Sequence, residues 1–493
     1  MNKIGKIITG AVTAVAIVGV SLGVHFGYSD TKFKQRNYEV NNNSDMLKVG
    51  IISDLQLPDD DSKDTHQYES FEKTLTMLKN KGMDVLIIAG DFTDTSTRKA
   101  WKTYKEIYDN VMADTNNPVK LCIMGNHDYW LPYFNECFEI PTPAKLQKRY
   151  EKYTGEPLNS HNVINGYHFI CWSSLDGTYD KSYRNKEIVR AEIENAIKDD
   201  YNKPVFVITH LNSQNTAYGS DEWGNEDIDE VLRDYPQVIS ISGHSHYSLI
   251  DERSIWQSKY TAFTTQSLDY IELETGKFNG SVPKDAYGNS IAEALPACLY
   301  MTVESDKVTV ERLEANTGKT LKEPWVINAP FDSPNDYTTN DRKNKNQAPT
   351  LDTDLNAKIS DITDINNNAQ KTISFPAGKD DDFVHSYKLK FYDENKELLS
   401  FAETDYNNNE VRYDDDGNKV NKDNDKYKDA KTKDINEVLY FSDFVLGLEN
   451  MSSEVELRLP SNLPKNTKYV GITAVDSWDS ESDEVICEIS KGL

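Results

Sequence analysis

A layered α/β sandwich followed by an all-β sandwich is the fold class that this 493-residue sequence predicts, and three observations carry it. Short apolar runs without polar alternation recur between residues 47 and 241, as expected for strands covered on both faces. Segments of helical period lie between those runs, so strands and helices alternate. From about residue 351 the pattern changes to apolar residues at every second position, the signature of half-buried strands. The length also exceeds what one ordinary core organises.

In chain order, residues 1–30 are expected to form a targeting element. Lys3 and Lys6 precede an uncharged, apolar stretch from Ile7 to Gly27. Its length of about 21 residues lies between a signal-peptide core and a membrane span. Anchor is slightly favoured over cleaved peptide, with the body outside. The expected location is therefore the cell surface or the medium, with membrane contact through this segment if it is uncleaved.

Residues 46–330 form the expected α/β domain, with strands at 47–52, 85–89, 119–124, 168–171, 205–208 and 238–241. Phe71, Leu75 and Leu78 share one helix face, as do Trp101, Tyr104, Ile107 and Val111, and again Val189, Ile193 and Ile197. A strand pair at 299–303 and 308–313 closes the domain. Residues 331–350, polar and rich in Asn and Lys, are expected to be a linker. Residues 351–493 form the expected β domain, in which Tyr387, Leu389 and Phe391 alternate, as do Val455, Leu457 and Leu459. Within it, 405–434 is a polar insertion. Asp414, Asp416 and Gly417 suit a hairpin turn better than a calcium loop, because Arg412 occupies the first ligand position.

Composition excludes some functions. A formal net charge of -27 argues against nucleic acid as a partner, since such proteins present basic surfaces. Five cysteines without Cys-x-x-Cys spacing make neither a disulfide framework nor a thiolate zinc site. Buried, unreactive thiols are preferred, with one bridge left open.

The chemistry lies at the ends of the apolar runs. These read Ser-Asp-Leu-Gln at 53–56, Gly-Asp-Phe-Thr-Asp at 90–94, Gly-Asn-His-Asp at 125–128, Trp-Ser-Ser at 172–174, Thr-His at 209–210 and Gly-His-Ser-His at 243–246. All but the Trp-Ser-Ser segment offer metal-ligand atoms. Carboxylate and amide oxygens mixed with imidazole nitrogens suit Mn, Fe or Zn, and two such ions about 3.5–4 Å apart can clamp both oxygens of an in-line displacement at phosphorus. Ligand sites of open α/β sheets lie beyond the carboxyl ends of strands, where each of these motifs falls.

This ordered set resembles the calcineurin-like metallophosphoesterase family over roughly residues 46–330. The resemblance implies a dinuclear centre of two divalent ions, with Asp91 bridging, Asp54 and His246 on the first metal, and Asn126, His210 and His244 on the second. It implies that His127 is the catalytic acid and that Asp94 orients it. The implied reaction is hydrolysis of a phosphomonoester or phosphodiester by a dimetal-bound hydroxide. The family has His where this chain has Gln56, so Gln56 is either a weaker ligand of the first metal or a hydrogen-bonding neighbour of its ligands. Purple acid phosphatases carry Tyr where this chain has Asp94, so their iron–tyrosinate colour is not expected. Tyr129, Trp130 and Asn212, with Tyr218 and Trp223, either shape the substrate pocket or cap the core. His66 is expected on a solvated turn, and His161 and His168 in structural positions.

The end of the chain, with Ala-Val-Asp-Ser-Trp-Asp-Ser-Glu-Ser at 474–482, resembles the closing strand of a fibronectin type III domain, which implies an immunoglobulin-like sandwich and contact with a cell wall or surface. Two readings stand beside the enzyme. One is a phosphate- or metabolite-binding module on a weakened metal site, distinguished by testing turnover of an aryl phosphate. The other is mainly a cell-wall-associated module, distinguished by deleting residues 351–493.

Overall fold

The computed structural model describes residues 32–40, 46–60, 62–113, 117–130, 141–179, 182–274, 277, 295–363, 369–405, 410–414, 417, 419–420 and 430–489. The expected targeting segment and Cys137 lie outside these residues. Among the described residues no helix is long and apolar enough to cross a membrane.

The first part runs β1 (Lys34–Tyr38), β2 (Leu47–Ile52), α1 (His66–Asn80), β3 (Val85–Ile88), α2 (Arg98–Met112), β4 (Val119–Cys122), α3 (Pro143–Thr154), β5 (Asn159–Ile164), β6 (Tyr167–Trp172), α4 (Lys186–Asp199) and β7 (Val205–Ile208). It continues with α5 (Glu226–Leu232), β8 (Val238–Ser242), β9 (Ile255–Gln257), β10 (Thr261–Thr264), β11 (Ala297–Val303), β12 (Lys307–Glu314) and β13 (Thr320–Asn328). One sheet has the order β1-β5-β6-β7-β8-β10-β9 and the other β13-β12-β11-β2-β3-β4. The two pack face to face. Val49, Ile51, Ile87 and Leu121 from one meet Phe169, Phe206, Ile241 and Phe263 from the other in one core.

Helices cover both outer faces, which is why the strands read as continuous apolar runs. Phe71, Leu75 and Leu78 of α1 and Trp101, Tyr104 and Ile107 of α2 bury against Ile52, Leu86 and Ile88. Val189 and Ile193 of α4 and Val231 of α5 cover Ile170, Val207 and Val238 on the other face. Thr65 and Thr97 cap α1 and α2 by accepting hydrogen bonds from Tyr68 N and Ala100 N. Strand β1 lies upstream of the expected start at residue 46. It pairs in parallel with β5 at the sheet edge, and its sequence Lys-Gln-Arg-Asn-Tyr gives no apolar signal because an edge strand buries little.

His161 and His168 are structural. They join Nε2 to Nδ1 at 2.8 Å and end on Glu192 and Asp199. Cys122, Cys171, Cys298 and Cys487 are unpaired and buried.

In the segment expected as a linker, α6 (Thr339–Lys345) forms under a Thr338 cap. It packs through polar contacts: Arg342 donates to the carbonyl oxygens of Glu252 and Ile255. Apolar periodicity could not reveal such a helix. Beyond it, strands β14 (Lys358–Thr363), β15 (Ala369–Pro376), β16 (Ser386–Tyr392), β17 (Glu437–Phe441), β18 (Glu454–Arg458), β19 (Tyr469–Val475) and β20 (Val485–Glu488) make two sheets, β14-β15-β18 and β17-β16-β19-β20. Ile373, Phe375 and Leu457 of the first sheet share a core with Leu389, Val438 and Ile472 of the second. In the polar insertion, Arg412–Tyr413 pairs antiparallel with Lys419–Val420, as a hairpin requires.

Candidate metal centre and active site

The site is built from loops just past β2, β3, β4, β7 and β8. Asp54, Gln56, Asp91, His244 and His246 all have positive φ, from 41° to 70°. Side-chain-bearing residues rarely adopt that conformation, and such strain concentrates where the surroundings impose it on a site. The glycines allow the loops to close together. A Cβ on Gly90 (φ 96°) would strike the His210 ring, one on Gly125 the Asp91 carboxylate, and one on Gly243 would lie 2.7 Å from Asp54 Oδ2.

His210 Nδ1 lies 2.8 Å from the Ala89 carbonyl oxygen. A carbonyl only accepts, so Nδ1 carries the proton and Nε2 presents a lone pair in the neutral ring. That lone pair faces Asn126 Oδ1 at 3.0 Å, Asp91 Oδ2 at 3.1 Å and Asp54 Oδ1 at 3.9 Å. These groups are buried and all present lone pairs, so a cation must stand among them. Burial pulls the His210 pKa down, but Asp91 and Asp54 outweigh it and raise it to about 9.

Ligand atoms of Asp91, His210 and His244 lie within 4.8 Å of one another. Asp91 Oδ2, His244 Nε2 and His246 Nδ1 are buried without hydrogen-bond partners. Orphaned polar atoms at this density are costly unless an ion takes them up. The residues therefore fit a divalent metal. Asp54 links the halves of the site: Oδ1 lies 3.1 Å from His246 Nε2, and Oδ2 accepts from His244 N at 3.0 Å and from Ser53 Oγ.

His127 stands beside this cluster. Its backbone N donates to Asp91 Oδ1 at 2.9 Å, and its Nδ1 lies 2.9 Å from the Asp94 carbonyl oxygen and 3.3 Å from Asp94 Oδ1. Burial lowers the His127 pKa, and Asp91 and Asp94 more than reverse this, raising it to about 8. The imidazole stacks on Trp130 with centroids 3.6 Å apart.

Two residues left open between pocket and core fall in the core, and one expectation, for His66, is corrected. Tyr129 does not face a substrate: its ring is 4% exposed in the core and its hydroxyl donates to Ser174 O at 2.9 Å, because the 3-10 turn from His127 to Tyr129 rolls it inward. Asn212 is fully buried and has no hydrogen-bond partner for either amide atom. His66 opens α1, with Nε2 3.0 Å from Asp269 O, instead of lying on a solvated turn. Tyr218 is also buried, at the seam between the domains.

Several residues escaped the sequence reading. Tyr270 packs on His246 at 4.4 Å, and Tyr179 and Trp223 approach His244 at 5.3 and 5.9 Å. Trp223 is already a candidate in the sequence, by its place after His210, whereas Tyr270 and Tyr179 gave no signal. Asp128 closes Gly-Asn-His-Asp, and its carboxylate accepts from Thr93 N, Thr93 Oγ1 and Gly125 N. It holds two ligand loops together.

No curated protein matches the chain. Among solved structures it is similar to the purple acid phosphatase PPD1 from yellow lupin (Lupinus luteus) seeds, at 11% identity and a TM-score of 0.40, over 59% of this chain and 57% of that one. The chain thus spans a little over half the length of that relative. It is also similar to a conserved uncharacterized protein, described as a predicted phosphoesterase, from Streptococcus pneumoniae, at 9% identity and a TM-score of 0.24, over 57% of this chain and 98% of that one. Vacuolar Protein Sorting 29 from Cryptosporidium parvum matches at 12% identity and a TM-score of 0.27, over 57% and 98%. The family model described as calcineurin-like phosphoesterase matches residues 47–248, the stretch that carries every candidate ligand above.

Proposed function

We propose that the chain is an exported, metal-dependent phosphoesterase that hydrolyses a phosphomonoester or phosphodiester at a dinuclear centre. The observation that carries this reading is the buried convergence of lone pairs on His210 Nε2, which needs a cation. Asp91 would serve both ions, Asp54, His246 and Gln56 the first, and Asn126, His210 and His244 the second. When bound, two divalent ions supply positive charge for the phosphoryl oxygens and a water activated at neutral pH.

The chain's own residues do the rest. The Ala89 carbonyl keeps His210 in the tautomer that offers Nε2. With a pKa of about 8, His127 is mostly protonated at neutral pH and holds a proton for the departing oxygen. Asp94 fixes that ring and supports its charge. The rings of Tyr179, Trp223 and Tyr270 lie against the ligand imidazoles and that of Trp130 against His127, and all four would flank the rest of the substrate.

The two sheets of three and four strands in the last part are consistent with a fibronectin type III-like sandwich, for which contact with a cell wall or surface is the proposed role. The apolar stretch after Lys3 and Lys6 supports export. The acidic chain is not expected to bind nucleic acid.

The test is turnover of an aryl phosphomonoester and an aryl phosphodiester by the full-length chain with Mn, Zn, Fe and Mg in turn. Hydrolysis that chelation abolishes and metal restores supports the reading. Metal binding without turnover of either ester would leave a binding module in its place.

A further inference from the structure

Away from the ligand loops, a cavity of about 320 Å³ opens where α6 meets both domains. Its walls include the 215–222 segment, Tyr247, Arg253, Arg342, Lys343 and the 477–479 turn. Two buried groups in these walls lack hydrogen-bond partners, Arg342 Nε and Ser477 Oγ, and the Ser477 side chain belongs to a residue 4% exposed. Both can donate.

Arg342 is held in an unusual way for a partly buried cation. Its terminal nitrogens donate to the carbonyl oxygens of Glu252 and Ile255, and the guanidinium lies 4.8 Å from the Trp478 ring centre. The acids that influence it are engaged elsewhere: Glu252 by Arg312 and Lys322, and Asp251 by Arg253. On the cavity walls, Glu274 pairs with Arg253 and Lys277, and Glu222 accepts from Tyr247 Oη. Lys343 adds positive charge, with Asp479 only at 4.0 Å. Burial of the guanidinium pulls its pKa down to about 10. A partly buried charge in this state is strongly stabilised by an anion that accepts hydrogen bonds.

We infer that the interdomain cavity is a binding site for a small oxyanion, phosphate or carboxylate, held by Arg342 and Ser477 with Trp478 as the platform under the guanidinium. The site is separate from the metal centre but shares a loop with it through Tyr247. Tyr247 follows His246, and the space that a Cβ on Gly219 would need is taken by the Tyr247 ring at 2.6 Å and by Ser245 at 3.0 Å. An anion between the 215–222 segment and α6 therefore bears on the loop that carries His244 and His246.

The test is equilibrium dialysis of the full-length, metal-loaded chain against inorganic phosphate, with acetate as competitor. The wild-type chain should bind one equivalent more tightly than Arg342→Gln and Ser477→Ala do, each variant weakening that equivalent at least tenfold at unchanged circular dichroism and metal content. Phosphate held at the metal centre cancels in this difference, so the result does not depend on the phosphoesterase reading. Acetate that displaces the equivalent assigns a carboxylate ligand, and acetate that does not assigns a phosphoryl one. Identical phosphate and acetate binding by all three chains would overturn the inference. Should Arg342→Gln fail to fold, Ser477→Ala, which removes a single hydroxyl, decides the matter alone.

Discussion

His127 and Gln56 divide two tasks that one cluster of side chains could confuse, holding metal and moving a proton. His127 touches the ligand set only through its backbone N on Asp91, while its ring belongs to Asp94 and Trp130. His127→Asn should therefore leave metal content near that of the wild type while kcat falls by about 10² to 10⁴-fold, the usual share of a general acid. Metal analysis beside initial rates checks this, and loss of both ions would remove the assignment. Gln56 is buried with its amide nitrogen unpartnered, on strained backbone beside Asp54. An imidazole there should bind a borderline ion better than an amide oxygen does. Gln56→His is expected to tighten metal binding at limiting Zn, and unchanged affinity would place residue 56 outside the ligand set.

At the scale of elements, the helices that cover the ligand-bearing strands are held by aromatic packing. Trp101 of α2 is fully buried against Phe92, Tyr104 and Tyr150, with ring centroids 5.3 to 6.1 Å apart. Phe92 directly follows Asp91. Trp101→Ala should cost about 3–5 kcal/mol, the range for emptying a large core site, read as a lower denaturant midpoint at constant m-value. These helices were legible because their apolar stripes are long and regular. The edge strand β1 and helix α6 were not, because one hides a single edge and the other is held by polar contacts.

For the whole molecule, the decisive contact is between the domains. His385 is fully buried, with Nε2 3.1 Å from both Arg253 Nη2 and Tyr218 Oη. Arginine only donates, so His385 Nε2 accepts and the ring is neutral. Burial, with Arg253 beside it, pushes its pKa down to about 3. Burial alone would raise Asp251 and Glu274, but Arg253 beside Asp251, and His385 with Arg253 and Lys277 beside Glu274, outweigh it and lower both to about 2. All three groups bind protons more weakly folded than unfolded, so their contribution is complete above about pH 6.5 and is lost as pH falls toward 3. Stability of the full-length chain should fall between pH 7.5 and 5, and His385→Gln should flatten that slope in urea titrations. Ile250 and Ile271 also share a core with Phe383, Phe441 and Phe444. A chain ending at residue 350 should therefore unfold at a lower temperature than the whole, and an equal melting temperature would show that the two parts are independent.

The sequence by itself determined the layered architecture and the place of the candidate ligands at strand ends. Each of these is written in local order: apolar runs, helical stripes, and Asp, Asn or His just beyond them. What only the tertiary structure decided was which way each side chain turns and what it meets. Tyr129 and Trp130 are neighbours in sequence, yet one is sealed in the core and the other stacks on His127, because a single 3-10 turn separates their directions. Tyr270 reaches His246 from far along the chain, and His385 meets Arg253 across a domain boundary. Contacts between residues distant in sequence leave no periodicity to read, since they arise only when the packed sheets and their loops close.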